Sequence, residues 1–248
     1  MRRFNPLIIK IMSLLFLVLC FVIPVDMVRD LIRDRQFYQS QVEQGLTQST
    51  SGEQTIAAPI LVVPYQLVEG KTRTEQRLIV LPEQLNIDGQ VQVSPLKRAI
   101  YTFQTFQSTT ALTGHFSRAP LQTLRAKKGV TLGTPFLAVG VSDARGLGKS
   151  EPFTWAGKRY TFSAGTQLHA LPNGMHAALP LSDWDIAGSA PLNFSIQLNV
   201  NGSSRISYVP LGENTQVTLA GNWPHPKFAG STVTQTRNVM PQGFNASW

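Results

Sequence analysis

Hydrophobic residues dominate one continuous stretch close to the start of the chain. The stretch runs from Leu7 to Val25, and its uncharged part, from Ile11 to Val25, has 15 residues. As a helix, the 19 residues from Leu7 measure roughly 29 Å, about the thickness of the hydrocarbon core of a bilayer. Lys10 lies one turn from the start, where its amine can reach the lipid headgroups. The pattern predicts a cytoplasmic tail and a transmembrane helix over residues 1–25.

The apolar stretch does not have the sequence of a cleaved leader. A secretory signal peptide carries small residues in an A-x-A-like pattern after its apolar part, whereas this chain continues with charged and bulky residues over 26–33. A lipoprotein signal is not supported either, because the large Leu19 precedes Cys20. We therefore expect the helix to stay attached as an anchor.

Of the charges around the anchor, only those of the short N-terminal tail indicate its orientation. Lysine and arginine near the two ends of the span are equal in number, three on each side, so the positive-inside rule gives no preference by count. The short basic tail with Arg2 and Arg3 favours an N-terminus in the cytoplasm. Long downstream domains translocate largely regardless of charge, so we expect the bulk of the chain on the opposite side.

Polar residues with spaced apolar positions follow the anchor. Val28, Leu31 and Ile32 approximate a helical stripe, and charged residues lie between them. This spacing predicts that the helix continues as a stalk over 26–50. The cluster Ser49-Thr-Ser-Gly52 consists of helix-breaking residues and is expected to end the stalk.

Beyond the stalk, apolar positions alternate with polar ones in the period of β-strands. The clearest alternation consists of Phe194, Ile196, Leu198 and Val200. Asn201-Gly202 follows it and is predicted to form a type I′ hairpin turn, because both residues accept positive φ angles. Asp88-Gly89 is predicted to form a second hairpin turn for the same reason.

Three further segments complete the β interpretation. Ala57–Val68 is predicted as a strand with an edge or a bulge at Pro64, since proline lacks a backbone N–H. The segment 99–116 is expected to contain two half-buried strands, and 131–141 one buried strand. We predict a mainly β fold, an extended sheet or a sandwich, over 51–248.

Composition and charge narrow the possible functions. Charged residues make up 15% of the chain, and glycine and proline together number 35 (19 and 16), which suits short strands joined by turns. The net charge of +8 is spread out, and the basic cluster at 125–128 is interpreted as a solvated loop. Nucleic-acid binding, which requires a basic stripe with aromatic residues, is not indicated. Cys20 is the only cysteine, so no disulfide or cysteine metal site is expected.

The motifs of common catalytic and metal sites are not present. The four histidines form no H-E-x-x-H motif, and no G-x-S-x-G sequence occurs. Gly148-Lys149-Ser150 resembles the end of a phosphate loop, but Asp143 stands where that motif has a glycine. The sequence therefore predicts no enzyme, no catalytic residue, no metal and no cofactor.

Two loops are the best candidates for contact with a ligand or partner. In Ser142–Gly148, Asp143 is expected to accept backbone N–H groups of its turn, and Arg145 to pair with a carboxylate. In 221–226, Trp223 and His225 lie between turn residues, where the indole covers a sheet end or stacks on a sugar or peptide. A structural role is the alternative interpretation for both loops. Asp183-Trp-Asp185 is assigned to structure.

Several of these motifs occur together in one known family. They are Gln48-Ser-Thr-Ser-Gly52, the APILVVP run of 58–64, Ser142–Gly148, Asn222-Trp-Pro-His-Pro226 and Gly243-Phe244. In this order after an N-terminal apolar helix, they resemble the CreD inner-membrane proteins of Gram-negative bacteria. Nearly the whole chain takes part in the resemblance.

The resemblance implies more about function than the residues do. It implies a periplasmic β-rich domain after one transmembrane helix, and a role in cell-envelope integrity under a carbon- and envelope-responsive two-component system. It also implies a link to tolerance of colicins and β-lactams. An envelope protein is the expected partner, and no catalytic residue carries over.

Two features depart from the family pattern. Family members continue into several C-terminal membrane helices, whereas this sequence ends at Trp248, so we expect either a truncated form or a short form. Ala57-Ala58 stands before Pro59 where the family often has glycine. Two other functions stay open: a periplasmic module for a glycan or peptide, with Trp155, Trp184 or Trp223 lining its pocket, and an envelope hydrolase.

Overall fold

The computed structural model describes residues 6–49, 51–98, 101–183 and 188–248. The chain divides into two compact units, residues 1–48 and 49–248. The first unit is helical and the second is built of strands. The protein is therefore mainly β, as predicted.

The helix α1, Pro6–Ser49, has 44 residues and continues without a break through the predicted stalk. Its part Lys10–Tyr38 is long and apolar enough to cross a membrane, with a mean hydropathy of 2.6 in its most apolar window. Arg29 and Asp26 form an ion pair at 3.3 Å one turn apart. The subdivision into tail, membrane helix and stalk stays a prediction.

Sixteen strands and one further α-helix make up the described part of the second unit. In chain order these are β1 (Gln54–Ala57), β2 (Ile60–Glu69), β3 (Thr72–Val80), β4 (Gln84–Arg98), β5 (Tyr101–Phe116), α2 (Ala119–Ala126), β6 (Val130–Leu132), β7 (Phe136–Gly140) and β8 (Phe153–Trp155). They continue with β9 (Lys158–Tyr160), β10 (Ser163–Ala164), β11 (Gly174–Ala178), β12 (Leu192–Ser203), β13 (Ile206–Val209), β14 (Asn214–Gly221), β15 (Thr236–Met240) and β16 (Gly243–Ser247). Short 3-10 turns lie at Ala144–Gly146 and Leu181–Asp183.

The strands form three sheets. The largest has the order β15-β16-β14-β4-β5-β12-β8-β9, and the second has the order β10-β11-β7-β2-β3 with β6 also paired to β2. The third consists of β1 and β13. The pairs β1–β13 and β4–β14 are parallel, and the other pairs are antiparallel.

One hydrophobic core joins the two large sheets. It contains Leu61 and Leu137 of the six-stranded sheet together with Leu85, Leu112 and Ile196 of the eight-stranded sheet, each at most 1% exposed. A second, smaller cluster with Val62 and Phe136 covers the other face of β2 and β7. Because these two strands are buried on both faces, their sequences are continuous apolar runs rather than alternations.

The proline in β2 lies where its partner strand changes. β2 pairs with β7 over Ile60–Val62 and with β6 over Tyr65–Leu67, so Pro64 falls in the gap between the two. Its carbonyl still accepts a hydrogen bond from the Gly133 N–H at 2.8 Å. The expected irregularity at Pro64 is present, and the predicted single strand over 131–141 is two strands.

The predicted turn at Asp88-Gly89 is wrong. Both residues lie inside β4, which runs for 15 residues and pairs with β5 along its whole length. Glycine is needed here for space, because a Cβ would lie 2.6 Å from Leu219 Cδ2 and 2.8 Å from the Tyr208 hydroxyl. The segment 101–116 is likewise one strand rather than part of two.

The predicted type I′ turn at Asn201-Gly202 is also wrong. β12 continues through both residues, and the chain reverses at Ser204, whose φ is +65°. A Cβ on Gly202 would lie 2.5 Å from Phe106 Cζ and 2.8 Å from the Gly52 carbonyl oxygen. In both cases, therefore, a close neighbour, not a turn, accounts for the glycine.

The helix α2 was not predicted. Leu121 and Leu124 on one of its faces are buried in the main core, and Pro120 stands in its first turn, where a missing N–H costs nothing. The basic cluster 125–128 is exposed, as predicted, but its first two residues form the end of α2 rather than a loop.

Candidate functional site

The loop 142–148 is held by hydrogen bonds to β1 and to the residues before it. The Ser142 hydroxyl donates to the Glu53 carbonyl and accepts from the Thr55 N–H, both at 2.9 Å. The buried Gln54 side chain donates from Nε2 to the Asp143 carbonyl at 3.1 Å. These bonds hold the loop, which follows β7, against the two-stranded sheet, and this is a structural role.

Glycine is required at position 146, because neighbouring atoms leave no space for a side chain there. A Cβ on Gly146 would collide with the Gln54 amide nitrogen and the Asn201 carbonyl oxygen. Two residues later, the Gly148 N–H donates to the Asn199 carbonyl at 2.8 Å, and Leu147 forms a bridge with Val200. The loop therefore lies along the edge of β12.

Asp143 and Arg145 form the local pair that the sequence predicted. Asp143 Oδ1 accepts the Arg145 backbone N–H at 3.0 Å, and Oδ2 accepts the guanidinium at 2.6 Å. The hydrogen bond from the Arg145 side chain lowers the pKa of the Asp143 carboxyl, although partial burial opposes the shift. The Arg145 side chain is 57% exposed. Whether either residue contacts a ligand or partner stays a prediction.

Trp223 and His225 lie in the loop after β14. The indole Nε1 donates to the His225 carbonyl at 2.9 Å, and the two rings meet edge to face at 6.3 Å between centroids. Asn222 fixes the start of this loop, because its side chain accepts from the Val93 N–H at 2.7 Å and donates to the Val93 carbonyl at 3.0 Å. The half-buried Trp223 and the exposed His225 stay predicted contact residues.

The two candidate loops lie on opposite sides of the middle of the eight-stranded sheet. Gly221 pairs with Val91, Val91 with Ser108, and Ser108 with Val200, which in turn bridges Leu147. Four inter-strand steps of about 4.8 Å each separate them by about 19 Å along the sheet. The pairing therefore does not bring Asp143 and Arg145 together with Trp223 and His225.

The other aromatic and histidine candidates are distributed differently. Trp155 is fully buried in the core, and Trp184 and Asp185 lie outside the described residues. His176 Nδ1 donates to the Gly165 carbonyl at 2.6 Å and its Nε2 accepts from Gln167, whereas His169 is exposed. Within the described ranges, no group of three His, Cys, Asp or Glu side chains is placed to hold a metal.

The outward side of β4, β5 and β12 forms a continuous polar surface with one charged position, Asp88, and we call this surface the amide face. Its fifteen positions are Gln84, Asn86, Asp88, Gln90, Gln92, Gln107, Thr109, Ala111, Thr113, His115, Asn193, Ser195, Gln197, Asn199 and Asn201. Each is exposed or half-buried. Nine are asparagine or glutamine, three are serine or threonine, and none is lysine, arginine or glutamate. Typical soluble surfaces carry roughly 25–35% charged residues, so this composition is unusual.

An open groove of about 460 Å³ crosses one end of the amide face. Its floor includes Gln90, Gln92, Gln107 and Thr109, and the β15–β16 hairpin with Asn222 forms its wall. The sequence contained a signal for this surface, namely the polar residues between the alternating apolar ones. Sequence reasoning used only the apolar half of that alternation and missed the face.

The inward side of the same strands contains a small buried hydroxyl cluster. Thr110 Oγ1 lies 2.8 Å from the Tyr208 hydroxyl and 3.1 Å from Ser108 Oγ. Burial raises the pKa of the Tyr208 phenol. The phenol passes over Gly89, which explains the missing side chain there.

Comparison with known proteins identifies the family. A family model described as "Inner membrane protein CreD" matches residues 6–248. The chain belongs to the CreD family. It is 36% identical over 252 aligned positions to the protein named Inner membrane protein CreD of Escherichia coli strain K12, covering 98% of this chain and 55% of that relative. The chain thus spans about half the length of the curated relative it matches.

The family assignment agrees with the resemblance drawn from the sequence motifs. CreD proteins are named as inner membrane proteins, and this chain has the N-terminal helix suited to such a location. No solved structure matches this chain.

Proposed function

We propose that α1 anchors this CreD protein in the inner membrane and that the β unit lies in the periplasm, where it supports the integrity of the cell envelope without catalysing a reaction. The observation that carries the proposal is the apolar helix Lys10–Tyr38, the one candidate span among the described residues, ahead of a β unit with one extensive core. The basic tail with Arg2 and Arg3 supports an N-terminus inside.

The orientation is tested by protease accessibility. Spheroplasts expressing the chain with a C-terminal epitope are treated with protease from outside. The periplasmic arrangement predicts loss of the epitope in intact spheroplasts, while a cytoplasmic marker protein survives. Survival of the epitope until the membrane is broken would overturn the orientation.

The proposed contribution to envelope integrity comes from the family resemblance. A strain lacking the Escherichia coli relative is complemented with that whole relative or with this chain, and tolerance of colicins and β-lactams is measured. Restoration by this chain supports a function located in the anchored β unit. Restoration by the relative alone would assign the function to parts that this chain does not share.

A non-catalytic mechanism is supported by where the polar groups lie. The most distinctive motif, Ser142–Gly148, uses its side chains to join sheets, and Asp143 and Arg145 bind one another. Neither arrangement places a base beside a nucleophile, as covalent catalysis requires.

A second candidate function is the binding of a glycan or peptide by the β unit. The amide face and its groove favour this candidate, since their hydrogen-bonding side chains point outward over a large area. This function is compatible with the first, because an envelope protein that acts by binding needs a binding surface.

A further inference from the structure

We propose that the amide face and its groove bind a neutral glycan strand. The identity of the glycan that the face meets in the cell depends on the periplasmic placement proposed above. Binding itself depends on the face and is testable without any assumption about orientation.

Hydrogen-bond chemistry is the first argument. A primary amide offers both donors and acceptors, and a hydroxyl does the same. Twelve of the fifteen positions carry one of these two groups. A sugar chain presents hydroxyl and acetamido groups of the same dual character, so each can pair with such a side chain in either direction.

Charge is the second argument. Asp88 is the one carboxylate among the fifteen positions of the face, and the face has no lysine or arginine. Nucleic acids, anionic lipid headgroups and acidic polysaccharides are bound through basic side chains. The face therefore suits an uncharged ligand.

The composition also differs from that of a protein-binding surface. The centres of protein interfaces are enriched in aromatic residues, methionine and arginine, and none of these occurs on the amide face. Ala111 is the one apolar residue among the fifteen positions of the face, and the larger apolar side chains of Met240 and Phe244 form part of the groove wall. They offer surface to the C–H side of a sugar ring, which packs well on apolar groups.

The geometry suits a polymer rather than a single sugar. Side chains on one face of a sheet repeat about every 4.8 Å across the strands and about every 6.8 Å along them. Five rows on three strands therefore cover about 27 Å by 10 Å. An extended chain of sugars can meet such a lattice repeatedly, and the groove supplies a walled end.

The test is direct binding to neutral and charged oligosaccharides. The full chain is placed in lipid nanodiscs, because sugar-headed detergents would compete. Titration calorimetry is carried out with N-acetylglucosamine hexamer and cellohexaose as neutral probes and with an oligogalacturonate as the acidic probe. We expect binding of at least one neutral probe and weaker binding of the acidic one.

Two variants localise the binding. Substitution of Gln90, Gln92 and Gln107 by alanine removes three amides from the groove floor and should weaken binding at least about tenfold, as expected for losing several hydrogen bonds. Thr109→Lys places a charge in the same floor and should have a similar effect. Thr74→Lys in exposed β3 is its matched control, since each threonine hydroxyl makes one hydrogen bond, from Thr74 to the Leu67 carbonyl and from Thr109 to Asn199.

The outcomes separate this proposal from its rivals. No measurable binding of either neutral probe, or equal loss in Thr74→Lys and Thr109→Lys, would overturn it. Stronger binding of the acidic probe would also overturn it. Sedimentation of the nanodisc-free chain in a zwitterionic detergent checks for a dimer, and a dimer abolished by Thr109→Lys would assign the face to a second copy instead. None of these results bears on the protease test of orientation.

Discussion

The loop 142–148 and the amide face are both rich in polar residues, yet they use them in opposite ways. In the loop, the polar groups of Ser142, Asp143 and Arg145 bind other groups of the same chain. On the amide face, the amides of Gln90, Gln92 and Gln107 are exposed along the floor of a groove. One region joins the sheets, and the other presents hydrogen-bonding groups to solvent.

The comparison shows why a distinctive motif need not mark a binding site. A loop that packs between strands of different sheets needs particular residue types, such as glycine at 146 beside Gln54. Such a loop therefore has a recognisable sequence. An open hydrogen-bonding surface needs only polar residues at every second position. Its sequence is therefore inconspicuous even when it is large.

The largest expected effect comes from filling the space at Gly146. Gly146→Ala should lower the free energy of unfolding by about 3 kcal/mol, because the new methyl meets the Gln54 amide and a backbone carbonyl. The measurement is urea unfolding of the full chain in zwitterionic detergent, followed by tryptophan fluorescence. Gly140→Ala is the control and should cost less, since its Cβ contacts side-chain methyl groups at 3.3 Å. Wild-type stability for Gly146→Ala would contradict the structural role of the loop.

A smaller effect is expected at Asn222, the wall residue whose amide bonds the backbone of Val93. Asn222→Ala removes two hydrogen bonds to the backbone of Val93 and should cost about 1–2 kcal/mol. The same unfolding assay measures it, with Gln242→Ala in the same groove as the control. Equal effects of the two variants would mean that the bonds to Val93 contribute nothing.

The ion pair in the loop should contribute less still, and its contribution should depend on pH. Asp143→Asn should cost about 0.5–1 kcal/mol at pH 7, the range of a partly exposed pair. Because the folded-state pKa of Asp143 is lowered, this stability is present above its unfolded pKa of about 4 and is lost as pH falls through the folded value.

Unfolding of wild type and Asp143→Asn between pH 2 and 7 checks this dependence. The difference between them should shrink toward the acidic end. Glu53→Gln removes the more exposed pair with Arg205, at 3.6 Å, and should have almost no effect. A difference for Asp143→Asn that stays constant with pH would show that the pair's charge is unimportant.

The smallest effect on stability is expected on the amide face itself. Replacing Gln90, Gln92 and Gln107 by alanine should change the free energy of unfolding by no more than about 1 kcal/mol in total, since exposed substitutions have small effects. The same variant should lose glycan binding, so stability and binding would separate. A large loss of stability would mean that these amides are structural, as those of the loop are.

Local patterns were sufficient for the class of fold and for the long N-terminal helix. The apolar stretch predicted α1, and the alternation in 194–200 predicted β12. The opposite charges of Asp143 and Arg145, two positions apart, were enough to predict their ion pair. The turns at Asp88-Gly89 and Asn201-Gly202 were predicted wrongly, because these dipeptides are typical of hairpins. Their glycines instead make room for Tyr208 and Phe106, which are far away in the sequence.

The sequence by itself determined that an N-terminal helix long and apolar enough to cross a membrane is followed by a mainly β unit, because hydrophobic period and length are local properties of the chain. Only the tertiary structure decided that β4, β5 and β12 lie side by side, and so that their unremarkable glutamines, asparagines and threonines form one surface. The physical reason is that strand pairing joins residues far apart in the sequence, such as Thr109 and Asn199, which are 90 positions apart, and no local pattern specifies which strands will meet.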